Sequence, residues 1–305
     1  MKPTPDLRTA VGPLRLRSPL IAASGTVGSV VELAGVADLS AYGAAVAKSV
    51  SVEPWAGKPP PRVAPAGIGM LNGIGIQNPG IEAWRTEIAP RLTALDTPVW
   101  GSAVGYSAEE FALVAKGLET SGVAAIEVNL SCPNLHGQMF SLDPRASEEV
   151  VGAVRQAVHI AIGAKLSPNL VDPVPVATAC AGAGADFLTL TNTIWGAGVD
   201  VTTRRPHISG VVGGYSGPPL KPIALRFVIE VRKALPQMPI VGCGGVTTGV
   251  DIAEFLIAGA QAVAAGTIHL AEPRAGRRLI DELVEWMRRQ KVSSVASLVN
   301  TLELS

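Results

Sequence analysis

The sequence predicts an α/β fold, a (β/α)8 TIM barrel with long loops after strands 2 and 6. Short apolar runs recur eight times along 305 residues, amphipathic stretches lie between them, and the runs are apolar almost throughout rather than alternating. Strands covered on both faces of a parallel sheet have that pattern. Strand–helix repetition over this length fits a closed barrel better than an open sheet.

In order, the strands are residues 19–24 (PLIAAS), 43–49 (GAAVAKS), 98–104 (PVWGSAV), 124–130 (AAIEVNL), 162–167 (IGAKLS), 186–192 (DFLTLTN), 239–244 (PIVGCG) and 262–267 (AVAAGT). Helical spacing marks 108–122, 147–161 and 248–260 between them. The rhythm breaks at 50–97 and again at 193–221. Both stretches are rich in Gly and Pro and leave the C-terminal end of a strand, where barrels build their sites. They read as lids or substrate loops within one domain, residues 1–305, rather than as separate domains.

Composition narrows the function. Equal numbers of basic and acidic residues, 25 of each, argue against a nucleic-acid binder. With 48% hydrophobic and 16% charged residues, disorder is excluded. No uninterrupted apolar stretch of about 18 residues suggests a membrane span, and the N-terminal MKPTPDLRTAVGPLRL lacks the apolar core of a signal peptide. The expected compartment is the cytoplasm. Cys132, Cys180 and Cys243 form no CxxC pair, so neither a disulfide framework nor a four-cysteine iron–sulfur cluster is expected within the chain. His136, His159, His207 and His269 share no metal-ligand spacing and receive no chemical role. HExxH, GxSxG and paired carboxylates at the strand ends are missing, which removes the usual signals of metal, serine and glycoside hydrolysis.

The residues where each apolar run stops carry the most information. They are Ser24, Lys48, Ser102, Asn129, Lys165, Asn192, Gly244–Gly245 and Gly266–Thr267. Such a rim suits an anionic ligand rich in hydrogen-bonding groups. Glycines after strands seven and eight either make tight turns or let backbone N–H groups hold a phosphate, the latter helped by a following helix whose first turn points its N–H groups outward. GxGxxG is not matched, so a Rossmann dinucleotide site is not supported. In IEVNLSCPN, Asn129, Cys132 and Asn134 stand together where strand four enters its loop. A thiol there is either a base or nucleophile of lowered pKa or a small buried hydrophobe. Cys180 and Cys243 read as packing residues. Lys48 and Lys165 either meet an anionic ligand or form structural salt bridges, because burial without an anion is costly.

The segments ASGT (23–26), AKSVSVEPWAGKPPPRV (47–63), GMLNGIGIQNPG (69–80), EVNLSCPN (127–134), TRRP (203–206), GGYSGPPLKPIALR (213–226) and GGVTTGVDIAEFLIAGA (244–260) resemble class 1B dihydroorotate dehydrogenase, the catalytic (FMN) subunit. The likeness covers nearly the whole chain. It implies an FMN-binding barrel that oxidises (S)-dihydroorotate to orotate in de novo pyrimidine biosynthesis. Cys132 would be the catalytic base at C5, a position at which class 2 relatives carry serine, while the C6 hydride passes to the flavin. Lys48, Asn72, Gly73, Ile74, Gly75, Ile76, Asn129, Asn134, Asn192 and Thr193 would bind the substrate. Ser24, Lys48, Ser49, Ser102, Asn129, Lys165 and Thr191 would line FMN, with Gly217, Gly244, Gly245, Gly266 and Thr267 at its phosphate end. Electrons would leave through a partner subunit carrying FAD and an iron–sulfur (2Fe-2S) cluster to NAD+, in a heterotetramer of two catalytic and two partner chains around a homodimer core. Other readings are another dihydropyrimidine as substrate, fumarate or a quinone as acceptor, and a scaffold barrel without redox chemistry. Three positions depart from the family pattern. Ser102 stands for the usual Asn, Tyr215 for an apolar residue and Cys243 for the usual Met.

Overall fold

The computed structural model describes residues 4–130 and 140–303. Eight parallel strands close into a barrel: β1 (Leu20–Ala22), β2 (Ala44–Val46), β3 (Val99–Ala103), β4 (Ala125–Asn129), β5 (Ala161–Leu166), β6 (Phe187–Leu190), β7 (Ile240–Cys243) and β8 (Ala262–Ala265). Each strand pairs with its neighbours in chain order and β8 returns to β1. Every strand expected from the sequence is a barrel strand.

Six longer helices follow strands and cover the outside: α1 (Ala108–Thr120), α2 (Pro144–Ala157), α3 (Val174–Gly182), α4 (Lys221–Ala234), α5 (Gly249–Ala258) and α6 (Ala275–Gln290). Helix α2 starts at Pro144, ahead of the expected 147, because Asp143 caps it: its carboxylate accepts from the Arg145 N–H at 2.8 Å and proline fits the first turn. The helix stops at Ala157 because β5 takes over at Ala161.

Alternation along the strands divides the core in two. Ile126, Val128, Phe111, Phe227 and Leu256 fill the layer between barrel and helices. Ile21, Val46, Trp100, Phe187 and Val241 point into the barrel. There the Trp100 and Phe187 rings lie 5.0 Å apart, and Phe187 covers Gly163, where a Cβ would meet the ring at 2.0 Å. A hairpin, Thr9–Val11 with Leu14–Leu16, adds Val11 and Leu16 to this inner cluster. It sits at the end where strands begin, since Thr9 Oγ1 donates to the Gln261 carbonyl just ahead of β8. The floor of the barrel is thereby apolar and filled.

The two long stretches differ from the expected loops. Val63–Ala66 and Gly69–Asn72 from the first join Ile194–Ala197 and Val212–Ser216 from the second in one antiparallel sheet. The stretches pair directly, with Asn72 opposite Gly214 and Met70 opposite Ser216. Strand propensity is hidden there by Pro65 and by glycines at 69, 196, 213 and 214. At Gly213 close pairing demands the absence of a side chain, because a Cβ would lie 2.2 Å from the Asn72 carbonyl oxygen.

Beyond β8, His269 is buried, and its Nε2 lies 2.8 Å from the Tyr42 hydroxyl. Burial holds the imidazole down at about 4, against 6.5 when exposed. Between those values the unfolded chain takes up a proton that the folded chain refuses, so stability is present above 6.5 and drains away as pH falls toward 4. Urea midpoints of the wild type should therefore drop between pH 6.5 and 4.5. His269→Gln should flatten that drop, the difference approaching about 3 kcal/mol near pH 4. Parallel profiles for the two proteins would assign the acid sensitivity to other groups.

Candidate active site

The C-terminal strand ends and the antiparallel sheet enclose a cavity. Its wall contains Ser24 after β1, Lys48 and Ser49 after β2, Asn129 ending β4, Lys165 on β5, and Thr191, Asn192 and Thr193 after β6. Gly244 and Gly245 after β7, and Gly266 and Thr267 after β8, complete the barrel side. Asn72, Ile74, Gly75, Ile76 and Gly217 line it from the two insertions.

Two predicted residues stand apart from this wall. Gly73 donates its N–H to the Arg62 carbonyl at 2.7 Å and packs against Ser209 and Ile208. Ser102 is fully buried behind Ser49, their hydroxyls 2.8 Å apart. Its short side chain bonds its neighbour rather than reaching the cavity. Cys132, Asn134 and His136 lie outside the described residues.

A polar layer lies between the apolar floor and the cavity. In the ladder Glu127 sits beside Ser102 and Gly163, and Lys165 beside Asn129 and Thr189. The Glu127 carboxylate accepts from Lys165 Nζ at 3.1 Å, from Ser24 Oγ at 3.1 Å and from Thr189 Oγ1 at 3.1 Å. Lys165 Nζ also donates to Ser24 Oγ at 3.3 Å. Burial alone would lower the pKa of Lys165, but the Glu127 carboxylate outweighs it and holds the ammonium above its ordinary value. Cys243 borders the same layer and the cavity, and burial pushes its thiol up. Cys180, by contrast, is fully buried in α3.

Three asparagines are fixed by partners. Asn129 Nδ2 donates to Ser49 Oγ at 3.1 Å, and its Oδ1 accepts from Asn192 Nδ2 at 3.2 Å. Asn192 Oδ1 accepts from the Thr193 N–H at 2.8 Å. Across the cavity Asn72 Nδ2 donates to the Gly214 carbonyl at 3.1 Å. Oriented amides of this kind suit a ring bearing both carbonyl and N–H groups.

The opposite end differs from the sequence expectation. The first turn of α5 does not offer free N–H groups. Thr247 and Thr248 donate theirs to Asp251 Oδ2 at 2.7 Å each, and Gly249 donates to Glu282 Oε2 at 2.8 Å. Thr248 and Asp251 close a capping box. Although burial opposes it, the Lys221 ammonium and these N–H groups hold the Asp251 carboxyl below its usual range. The unclaimed donors lie earlier. Among the described residues none accepts from the backbone N–H of Gly244, Gly245, Gly266 or Thr267. Gly245 has φ 71°, and a Cβ there would lie 2.7 Å from the Lys221 nitrogen. Only glycine keeps that turn unstrained. Backbone N–H groups without partners, beside a cavity, form a nest for an anion.

The sequence reading missed Glu127, Ser216 and Gly214. Glu127 carried a usable signal: in AIEVN, a period of two puts Ala125, Glu127 and Asn129 on one face, the face inside the barrel. Ser216, whose Oγ accepts from Thr267 Oγ1 at 2.8 Å, becomes visible only through pairing of the insertions.

Known proteins resemble this chain in sequence and fold. The family model described as dihydroorotate dehydrogenase matches residues 6–287. The chain is 44% identical over 303 residues to the protein named dihydroorotate dehydrogenase B (NAD(+)), catalytic subunit, of Citrifermentans bemidjiense, covering 98% of this chain and 99% of the relative. To the same-named protein of Desulforudis audaxviator it is 42% identical over 293 residues, covering 95% of each. A crystal structure of dihydroorotate dehydrogenase from Eimeria tenella in complex with ferulenol superposes with a TM-score of 0.82 at 19% identity, covering 97% of this chain and 88% of that one, which speaks to the fold alone. By sequence over nearly its whole length, the chain belongs to the dihydroorotate dehydrogenase family.

Proposed function

We propose that the protein is the catalytic subunit of an NAD+-linked dihydroorotate dehydrogenase, oxidising (S)-dihydroorotate to orotate in pyrimidine biosynthesis. One observation carries the reading. A single cavity joins unclaimed backbone N–H groups at Gly244, Gly245, Gly266 and Thr267 to a buried lysine and a cluster of asparagines. That sequence of groups matches a phosphate, a flavin ring and a pyrimidine in turn.

The residues fit FMN. The four N–H groups and Gly217 would hold the phosphate, while Ser24, Ser49, Lys165 and Thr191 line the ring. When bound, FMN supplies the hydride acceptor. The chain's own groups do the rest. Lys165 provides a fixed positive charge, and Asn72, Asn129, Asn134 and Asn192 orient the pyrimidine by its donors and acceptors. Lys48 faces the substrate carboxylate. Cys132, three residues beyond Asn129 in the sequence, takes the proton from C5. A partner subunit with FAD and an iron–sulfur cluster would pass the electrons to NAD+, two of each chain forming a heterotetramer in the cytoplasm. Among the described residues no helix is long and apolar enough to cross a membrane.

The direct test is an anaerobic visible spectrum of the purified protein before and after dihydroorotate. A flavin band that bleaches with dihydroorotate, and not with dihydrouracil, is the expected result. A band that persists would discard the substrate. Cys132→Ser should keep FMN yet lose turnover at pH 7 by roughly a hundredfold or more, because a hydroxyl is a far weaker acid–base group than a thiol there. Gly245→Ala should weaken FMN binding at least about tenfold, since the methyl strains a left-handed turn and displaces an anion-facing N–H. Titration of the apoprotein with FMN measures it, and unchanged affinity would move the phosphate elsewhere.

A further inference from the structure

Lys165 and Glu127 are, respectively, 4% and 2% exposed, inside a barrel whose floor is apolar. An ammonium has three donors. Two are taken among the described residues, by Glu127 Oε1 and Ser24 Oγ, and Lys165 borders the cavity. The Glu127 carboxylate is itself held on both oxygens, by Ser24 and Lys165 on Oε1 and by Thr189 on Oε2. Among the described residues Cys243 is the other ionisable group acting on Lys165, and burial pushes its thiol up. No described group other than Glu127 forms an ion pair with this lysine.

We infer that Glu127 is the positioning residue for Lys165: its carboxylate keeps the buried ammonium charged and fixed, with one N–H left for the cofactor ring. The inference rests on the FMN reading and extends it to a residue that touches neither cofactor nor substrate. Its physical basis is the cost of an uncompensated buried charge. Without the carboxylate, desolvation drives the proton off a lysine at this depth. The cavity then loses the positive charge that favours the electron-rich form of a bound ring.

The test is the midpoint potential of bound FMN in four holoproteins: wild type, Glu127→Gln, Lys165→Met and the double variant. Glutamine preserves the shape and removes the charge. Glu127→Gln should lower the potential by about 30 mV or more, equivalent to a tenfold loss of preference for reduced over oxidised flavin. Lys165→Met should lower it as well, and the double variant should fall no further than Lys165→Met alone. An unchanged or raised potential in Glu127→Gln, or additive falls, would overturn the assignment. Should Glu127→Gln fail to fold, the double variant must fold, because it removes both charges together. Failure of both would make Glu127 a structural residue and end the inference. The two readings fail separately: a wild type that binds no FMN defeats the proposed function, whereas FMN held with unmoved potentials defeats only the role of Glu127.

Discussion

A closed parallel barrel turns every second side chain of each strand into a space too narrow for water and too crowded for error. The other structural features depend on how that space is divided. Here its lower half is closed by Trp100, Phe187 and the residues around them, with the N-terminal hairpin beneath. Its upper half holds Ser102, Glu127, Lys165 and Thr189. The boundary falls within single strands: on β6, Phe187 belongs to the floor, while Thr189 donates to Glu127. An apolar base beneath a polar layer gives low dielectric in which Ser102, Glu127, Lys165 and Thr189 are each hydrogen-bonded, which strengthens whatever electrostatics act above it.

The Glu127–Lys165 pair shows both sides of that arrangement. Removing two charges from water is expensive, and a pair so deep is weak evidence of stability in itself. It is retained at the junction of floor and cavity, and hydroxyls from β6 and from the turn after β1 satisfy the carboxylate. Such a network fixes geometry more than it adds to the folding free energy. Asn129, Asn192 and Ser49 form a second network of the same kind one level higher.

Much of this was legible in the sequence because barrel strands are local features. Buried parallel strands appear as apolar runs, and all eight runs did. The polar residues that end them, from Ser24 to Thr267, mostly line the cavity because strand ends share one face by construction. What stayed hidden depended on contacts between distant segments. Ser102 ends a run like the others, but Ser49 occupies the space in front of it. The first turn of α5 looked free because its caps include Glu282, from another helix. The four strands above the barrel have glycine and proline where strand formers would announce them, and they exist because the insertions meet. Glu127 was overlooked for the opposite reason, since one carboxylate within an apolar run was read as part of the run.

The shared sheet over the cavity ties together segments about 140 residues apart in the chain, with Asn72 opposite Gly214 and Leu71 opposite Tyr215. In a strand a slip of one residue exchanges the two faces. A one-residue deletion or insertion within Gly69–Asn72 would therefore turn Met70 and Asn72 away from the cavity and set Gly214 and Ser216 opposite new partners. The two walls must change length in concert or not at all. Over evolutionary time they would be inherited as one linked block, although the chain writes them as two.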